Sequence, residues 1–491
     1  MPNLIRDISE TSGYWGAVWT VCNLPDIHVI ADAPVGCYSL LASAVSNYTD
    51  AIPNLENITP SFIREAEVMG SGTWPAVENV YKGLHETGKL EGKQLIVVST
   101  AESEMIGSDL SEFMGRLGYN AKFFHSESLT HDEWTGRDRA LIWLWQNYGN
   151  QATTAPEPGL VNIIGPTYGC FNAPADLHEI RRLVEGAGGR INVVFPYEAS
   201  VADIDRLPKA QVNVVMYKEF GHTLADALDR PWLHAPMGLR GTTDFIRKLA
   251  QIIGTTDQAE RFIKREKATT LKPIWDMWKG PQGDWYSTTS VGIVATGTYV
   301  DGLRAFLGDE MGMPVTLTVA RPLRPGDMDN IALRNAIHAS APSFLFGSIN
   351  EKIYLSEAGN KMTNFIPAAF PGPIVRRALG TPFMGYAGTV YVVQEIVNRL
   401  FETLFNVLPL DTAYGRPAGS APVVTKPSLP WQPAAKAYLD AALSKLHFLT
   451  RISVSQEYQM AAESYAHAQQ LHEVTTEVVE AVLAGRQGER R

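Results

Sequence analysis

Three cysteines, at positions 22, 37 and 170, are the side chains here best suited to chemistry beyond packing. A thiolate is the soft ligand that zinc and iron–sulfur clusters favour, but such a site needs about four ligands. No pair of these cysteines has metal-ligand spacing, and neither Cys22 nor Cys170 has a His or Cys beside it at such spacing. Cys37 differs in its setting, Asp32-Ala33-Pro34-Val35-Gly36-Cys37-Tyr38, where an apolar run ends and Pro34 and Gly36 turn the chain. That places Cys37 at the carboxyl end of a parallel strand, where open α/β sheets keep their ligands. Amides around such a turn can donate to a sulfur or stabilise a thiolate. A lone cysteine is more often a small packed hydrophobe, and residue chemistry leaves both readings open. If Cys37 is a ligand, its companions must come from another chain. Cys22, in the apolar run Val18–Leu24, and Cys170, in the turn Gly165–Cys170, read as packing.

A second candidate is Asp284, in the loop Gly280-Pro281-Gln282-Gly283-Asp284-Trp285-Tyr286. An acid flanked by aromatics in a partly desolvated loop can keep its proton near neutral pH and donate it; a turn-forming aspartate is the plainer alternative. The segment Gly83-Leu84-His85-Glu86-Thr87-Gly88-Lys89-Leu90 has the glycines and lysine of a phosphate loop. It ends in Leu90 instead of a hydroxyl and follows a helix, whereas a phosphate loop follows a strand and opens a helix. Gly297 follows a strand without the remaining glycines of a dinucleotide fingerprint, and there is no Gly-x-Ser-x-Gly or His-Glu-x-x-His motif.

The elements that position these residues alternate in type. Ile27–Ala31, Leu95–Ser99 and Lys122–His125 read as strands, followed by Leu160–Gly165, Ile191–Phe195, Val212–Tyr217 and Trp232–Ala235. A third set comprises Val291–Ala295, Val315–Val319 and Phe344–Ser348. Helices lie between them; in Ala175–Ala187, Leu177, Ile180 and Val184 share one face. Strands alternating with helices build parallel sheets covered on both sides. Polar helices are expected over Thr242–Ile253 and Gln258–Trp278, a linker over the Pro/Gly-rich Gly415–Pro430, and two tail helices separated by Leu449–Ile452. The expected architecture is α/β: three Rossmann-like parallel-sheet domains, over residues 1–155, 156–280 and 281–415, with a linker and C-terminal helices over 416–491.

With 491 residues, 45% hydrophobic and 19% charged, the chain has the composition of an ordinary globular protein. A net charge of −10 argues against nucleic acid, whose phosphates demand clustered Lys and Arg. The first ten residues lack the apolar centre of a leader, and few cysteines suit a reducing compartment, so the cytoplasm is expected. The apolar helix Tyr386–Leu408 contains Glu395, Arg399 and Glu402, so it is expected to be buried or amphipathic, not transmembrane.

Long motifs carry a resemblance. Gly13-Tyr14-Trp15-Gly16-Ala17-Val18, Pro34-Val35-Gly36-Cys37, Asn47-Tyr48-Thr49-Asp50-Ala51 and Gly165-Pro166-Thr167-Tyr168-Gly169 resemble the Z subunits of chlorophyllide a reductase. So do Val214–Gly221, Gly347–Lys352, Met384–Gly388 and Leu449–Ser453. That family is related to the nitrogenase molybdenum–iron protein and to dark protochlorophyllide reductase. The resemblance implies that Cys37 gives one thiolate to an intersubunit [4Fe–4S] cluster whose other three ligands come from the Y subunit, within a heterotetramer of two Y and two Z chains. In the protochlorophyllide enzyme an aspartate takes that fourth position. The implied reaction reduces the C7=C8 bond of chlorophyllide a in bacteriochlorophyll synthesis, with electrons from a separate X-type reductase subunit that hydrolyses ATP-Mg. Asp284 falls, after a one-residue shift, where the protochlorophyllide enzyme places a proton-donating aspartate, and Trp275, Trp278, Trp285 and Tyr286 are candidate tetrapyrrole contacts. Just after Cys37, and over Pro53–Trp74, the sequence departs from the commoner family form. Two alternatives remain: the B-type subunit of the protochlorophyllide enzyme or another nitrogenase-like reductase, and a cluster-free assembly scaffold.

Overall fold

The structure is a computed structural model, and it describes residues 11–43, 55–107, 109–117, 121–150, 154–278, 286–360, 362–372, 381–407, 429–443 and 448–488. Continuous apolar runs form the central strands, because a parallel strand covered by helices on both faces has no solvent side to alternate with. All six residues of β1 (Ile27–Asp32) are buried. It pairs in parallel with β2 (Ile58–Pro60) and β3 (Gln94–Ser99), and β4 (Ala121–Phe124) follows, giving the order β2-β1-β3-β4. The same plan recurs in β5 (Leu160–Ile164), β6 (Arg190–Phe195), β7 (Val212–Val215) and β8 (Trp232–His234), ordered β6-β5-β7-β8. It recurs again in β9 (Val291–Thr296), β10 (Val315–Arg321), β11 (Phe344–Gly347) and β12 (Asn364–Pro367), ordered β10-β9-β11-β12. Each sheet therefore presents four carboxyl ends along one edge, the edge where such folds carry their ligands.

The chain divides into two compact units, Met1–Glu395 and Ile396–Arg491. All three sheets lie in the first. Its first two sheets are joined by a helix pair, Gly13–Val21 and Glu133–Tyr148, in backbone contact. A Cβ on Gly16 would stand 1.9 Å from the Glu133 carbonyl oxygen, and one on Gly136 would stand 2.2 Å from that of Gly13. Beside that contact Arg137 is fully buried and pairs with Glu133 at 3.0 Å. Its Nη1 donates to Thr167 and to the Tyr168 carbonyl, and its guanidinium lies over the rings of Trp19, Trp134 and Phe220. The second and third sheets are tied by Asp176, whose carboxylate accepts the backbone N–H groups of Phe383 and Met384 and the hydroxyl of Tyr299.

Helix bounds correct two expectations. Gln258–Trp278 is two helices, Thr256–Ala268 and Lys272–Trp278; the first ends at Thr269, whose backbone leaves helical geometry. The tail has three helices, Pro433–Leu443, Phe448–Ala468 and Thr476–Gly488, and Leu449–Ile452 lies inside the second. Ala435, Leu439, Leu443, Ala462, Ala466, Val474, Val478 and Val479 form the core of the second unit. Residues 415–428 of the expected linker are outside the described residues. Among the described residues no helix is long and apolar enough to cross a membrane, including Gly385–Val407.

Candidate functional site

Cys37 lies in the helix Val35–Ser43, which opens directly after β1. The strand end is pinned from below: buried Asp32 accepts hydrogen bonds from Ser61 and Thr73 at 2.9 and 2.7 Å, and Thr100 donates to its carbonyl at 2.8 Å. Thr100 and Ser103 form a capping box at the start of the helix Ala101–Met105, after β3. That helix sets Glu102 beside the cysteine, and the Cys37 thiol donates to Glu102 Oε1 at 2.8 Å. Burial, the hydrogen bond to Glu102 and the carboxylate's charge push the thiol up to about 12. Cys37 is therefore a thiol in the chain alone, and its proton, which must leave when metal binds, already points at an acceptor.

The carboxyl edge of the first sheet, where Cys37 lies, carries exposed apolar groups. Val35 precedes Cys37 by two residues, Phe62 follows β2, Val68 and Met69 lie on the next helical turn, Met105 ends the Glu102 helix, and Leu129 follows β4. All six are exposed, Met69 to 79% and Met105 to 76%. The backbone N–H groups of Ser61 and Ile63 donate to the carbonyls of Ala31 and Ala33, which holds the β2 loop against the Cys37 turn. Exposed apolar groups concentrated at one sheet edge mark an interaction surface.

The other two cysteines are enclosed. Cys22 is buried, and burial pushes its thiol far up. Cys170 is buried, 3.3 Å from the Thr167 hydroxyl, and burial raises its thiol too. Among the described residues no group of three or more His, Cys, Asp and Glu is arranged to hold a metal ion. The residues present thus fit one corner of a cluster and not a whole one.

Asp284 and Trp285 lie outside the described residues. Tyr286 is buried, which pushes its phenol up to about 12, and Trp275 is on the surface; Trp278 ends the helix Lys272–Trp278. Neither Trp275 nor Tyr286 lines either of two concavities in the first unit. One, of about 500 Å³, is lined by Arg182, Arg261 and Arg265 around Phe262. The other, of about 190 Å³, lies between the ends of β7 and β8 and the helix Gly297–Leu303. The near-miss phosphate loop runs from the helix Trp74–Glu86 through Gly88 into β3, so the order of elements is helix, turn, strand. Sequence reasoning missed Glu102 and Arg137. Glu102 had one signal, its place three residues after a second strand ending at the Cys37 edge.

Three successive parallel sheets of one topology, with a single accessible cysteine at the edge of the first, define an α/β protein of the nitrogenase component 1 architecture. Solved structures of Nitrogenase Cp1 share this fold: the structure at pH 6.5 superposes with a TM-score of 0.67 at 16% identity, covering 84% of this chain and 96% of that one. Residues 12–401 match the family described as Nitrogenase component 1 type Oxidoreductase, and the chain belongs to that family. Among curated proteins it is similar to the B-type subunit of light-independent protochlorophyllide reductase from Rippkaea orientalis, 26% identical over 426 residues, 78% of this chain and 81% of that protein. The corresponding B-type chain of a Synechocystis species is 25% identical over 516 aligned positions, 94% of this chain and 96% of that protein.

Proposed function

We propose that the chain works as the Z-type subunit of a nitrogenase-like, ATP-dependent oxidoreductase that reduces the C7=C8 bond of chlorophyllide a in the cytoplasm. The observation that carries this reading is Cys37: one reachable thiol at the carboxyl edge of the first sheet, an edge that carries exposed apolar side chains, in a chain of the component 1 family. Cysteine at the position that the sister enzyme fills with aspartate favours chlorophyllide over protochlorophyllide. The apolar rim suits a Y subunit bringing the other three ligands of a [4Fe–4S] cluster, and two such pairs make the heterotetramer. The bound cluster supplies one-electron chemistry. This chain's residues hold the fourth ligand, exclude water with the rim and present an acid to the pigment. Nucleotide hydrolysis belongs to an X-type reductase that docks separately. The three domains proposed are 1–155, 156–280 and 281–415, with 416–491 as the helical extension.

The test is co-expression with a Y partner, iron and sulfide analysis, electron paramagnetic resonance, and assay with both pigments. Wild-type complex is expected to hold a cluster and reduce chlorophyllide a; the isolated chain is expected to bind neither stoichiometric iron nor ATP. Preferential reduction of protochlorophyllide would favour the B-type reading instead, and a complex in which Cys37→Ser leaves iron and activity unchanged would return the chain to the scaffold reading. We assign Asp284 as the proton donor to the reduced ring edge. Asp284→Asn keeps shape and removes the acid, and turnover is expected to fall at least about tenfold, the lower range for one positioned acid, with cluster and pigment binding retained.

A further inference from the structure

β1 and β3 end level with each other, Asp32 being the register partner of Ser99. Cys37 lies just beyond the first of these ends and Glu102 just beyond the second. The backbone around Glu102 is fixed: the Thr100 hydroxyl donates to the Asp32 carbonyl at 2.8 Å, and the Thr100 N–H donates to the Ser103 hydroxyl at 2.9 Å. The helix Ala101–Met105 therefore starts from the strand end that leads into the Cys37 turn, and Glu102 Oε1 stands 2.8 Å from the Cys37 sulfur. That carboxylate is not neutralised within the described residues. No Lys, Arg or His among them makes an ion pair with Glu102, whereas Glu104, on the same helix, has His125 at 3.7 Å and hydroxyl donors in Ser99 and Ser126. The cap does not use Glu102 either, since Thr100 and Ser103 supply it. What the half-buried Glu102 side chain does make is its contact with the cysteine.

We propose that Glu102 acts through Cys37 to hold the cluster's reduction potential low, by keeping a carboxylate charge against the ligating sulfur. The inference rests on the reading of Cys37 as a ligand. In the free chain the thiol proton lies between sulfur and carboxylate. A ligating cysteine has lost that proton, and a carboxylate, which can only accept, then faces the sulfur as bare negative charge. An electron added to a cluster enlarges the negative charge on its sulfurs, so an anion held at this distance disfavours the reduced form. A partner covering the exposed apolar edge removes water that would otherwise screen the charge. A lower potential makes each electron passed to the pigment more reducing, which saturation of a conjugated ring double bond requires. The electron comes from the separate reductase of that reading. As a positioning residue, Glu102 makes no bond to iron and passes on neither electron nor proton.

The test uses the complex co-purified with its partner subunit, titrated with reductant and followed by electron paramagnetic resonance. Glu102→Gln keeps the shape and removes the charge; Glu102→Asp keeps the charge on a shorter arm. In the Gln variant assembly and iron content are expected to match wild type, while the equilibrium constant for cluster reduction rises about tenfold, a midpoint about 59 mV higher for one electron. The Asp variant is expected to stay closer to wild type than the Gln variant, because charge and not shape sets the effect. An unchanged or lower midpoint in Glu102→Gln, with a cluster present, overturns the inference and leaves the Cys37 reading standing. So does an equal rise in both variants, or loss of iron from the Gln variant, which would make Glu102 a holder of the cluster and not a tuner of it. Absence of a cluster from the wild-type complex overturns the Cys37 reading and this inference with it.

Discussion

Cys37 and Cys170 each follow the central first strand of their own sheet, Cys37 at the start of the helix Val35–Ser43 and Cys170 in a loop. Their surroundings are opposite. The Cys170 loop is packed under the first sheet's helix pair: a Cβ on Gly169 would lie 2.7 Å from the Trp19 ring, and Arg137 donates to the Tyr168 carbonyl at 2.6 Å. The Cys37 turn has no such cover shown among the described residues; Val35, two residues before it, is exposed, as is Met105 at the end of the helix that carries Glu102. The same place after a central strand is thus closed by packing between sheets in one case and left open at the edge of the first sheet in the other. Availability to a metal or partner is decided by what lies over the strand end, not by the strand end itself.

The sharpest way to break this comparison is to exchange the two thiols for hydroxyls. Cys37→Ser is expected to abolish pigment reduction and lose or shift the cluster signal in the assembled enzyme, with subunit assembly intact. Cys170→Ser is expected to leave both in place, as measured by turnover and electron paramagnetic resonance on matched preparations. The closed side has its own weak point. Arg137→Leu removes the buried cation that pairs with Glu133 and is expected to destabilise the chain by about 3–5 kcal/mol, read from denaturant midpoints.

Beneath the open rim, His28 is fully buried in β1, with Nε2 3.1 Å from the Thr59 hydroxyl. Burial, then the charges of Lys93 and Lys89, lower its pKa from 6.5 to about 4. A depressed basic group binds fewer protons folded than unfolded, so its effect is absent above about pH 6.5 and stability falls as pH drops from there towards 4. The loss is on the order of 3 kcal/mol over that window, and His28→Gln, which keeps an amide near Thr59, should flatten this acid limb in denaturant titrations. The smallest expected effect is at the rim. Met69→Lys and Met105→Lys should each weaken association with the partner by about 1–2 kcal/mol, below the level of an interface hot spot, without changing the stability of the isolated chain.

Much of the fold was legible because the central strands are unbroken apolar runs: Ile27–Ala31 and Val291–Ala295 match β1 and β9 to within a residue. β2 and β12 were missed, being three and four residues long, at sheet edges and ending in proline, too short to show any period. Leu449–Ile452 looked like a break because Thr450 and Ile452 are poor helix formers, yet the helix Phe448–Ala468 runs through it. At the site, the strand-end turn made Cys37 a candidate, and the family resemblance, not the turn, favoured it as a ligand. Glu102 is 65 residues away in sequence and meets it only because β1 and β3 are neighbours in the sheet.

The sequence by itself determined the class of fold and the order of strand, Pro/Gly turn and cysteine that makes Cys37 a candidate. These are local properties: apolar run length, turn residues, and the order of strand and helix. Only the tertiary structure decided which thiol is reachable, that a carboxylate accepts its proton, and that exposed apolar groups share its sheet edge. The physical reason is that exposure and pKa are set by groups brought together across a sheet, here residues 37 and 102. Nothing in their separate surroundings along the chain records that meeting.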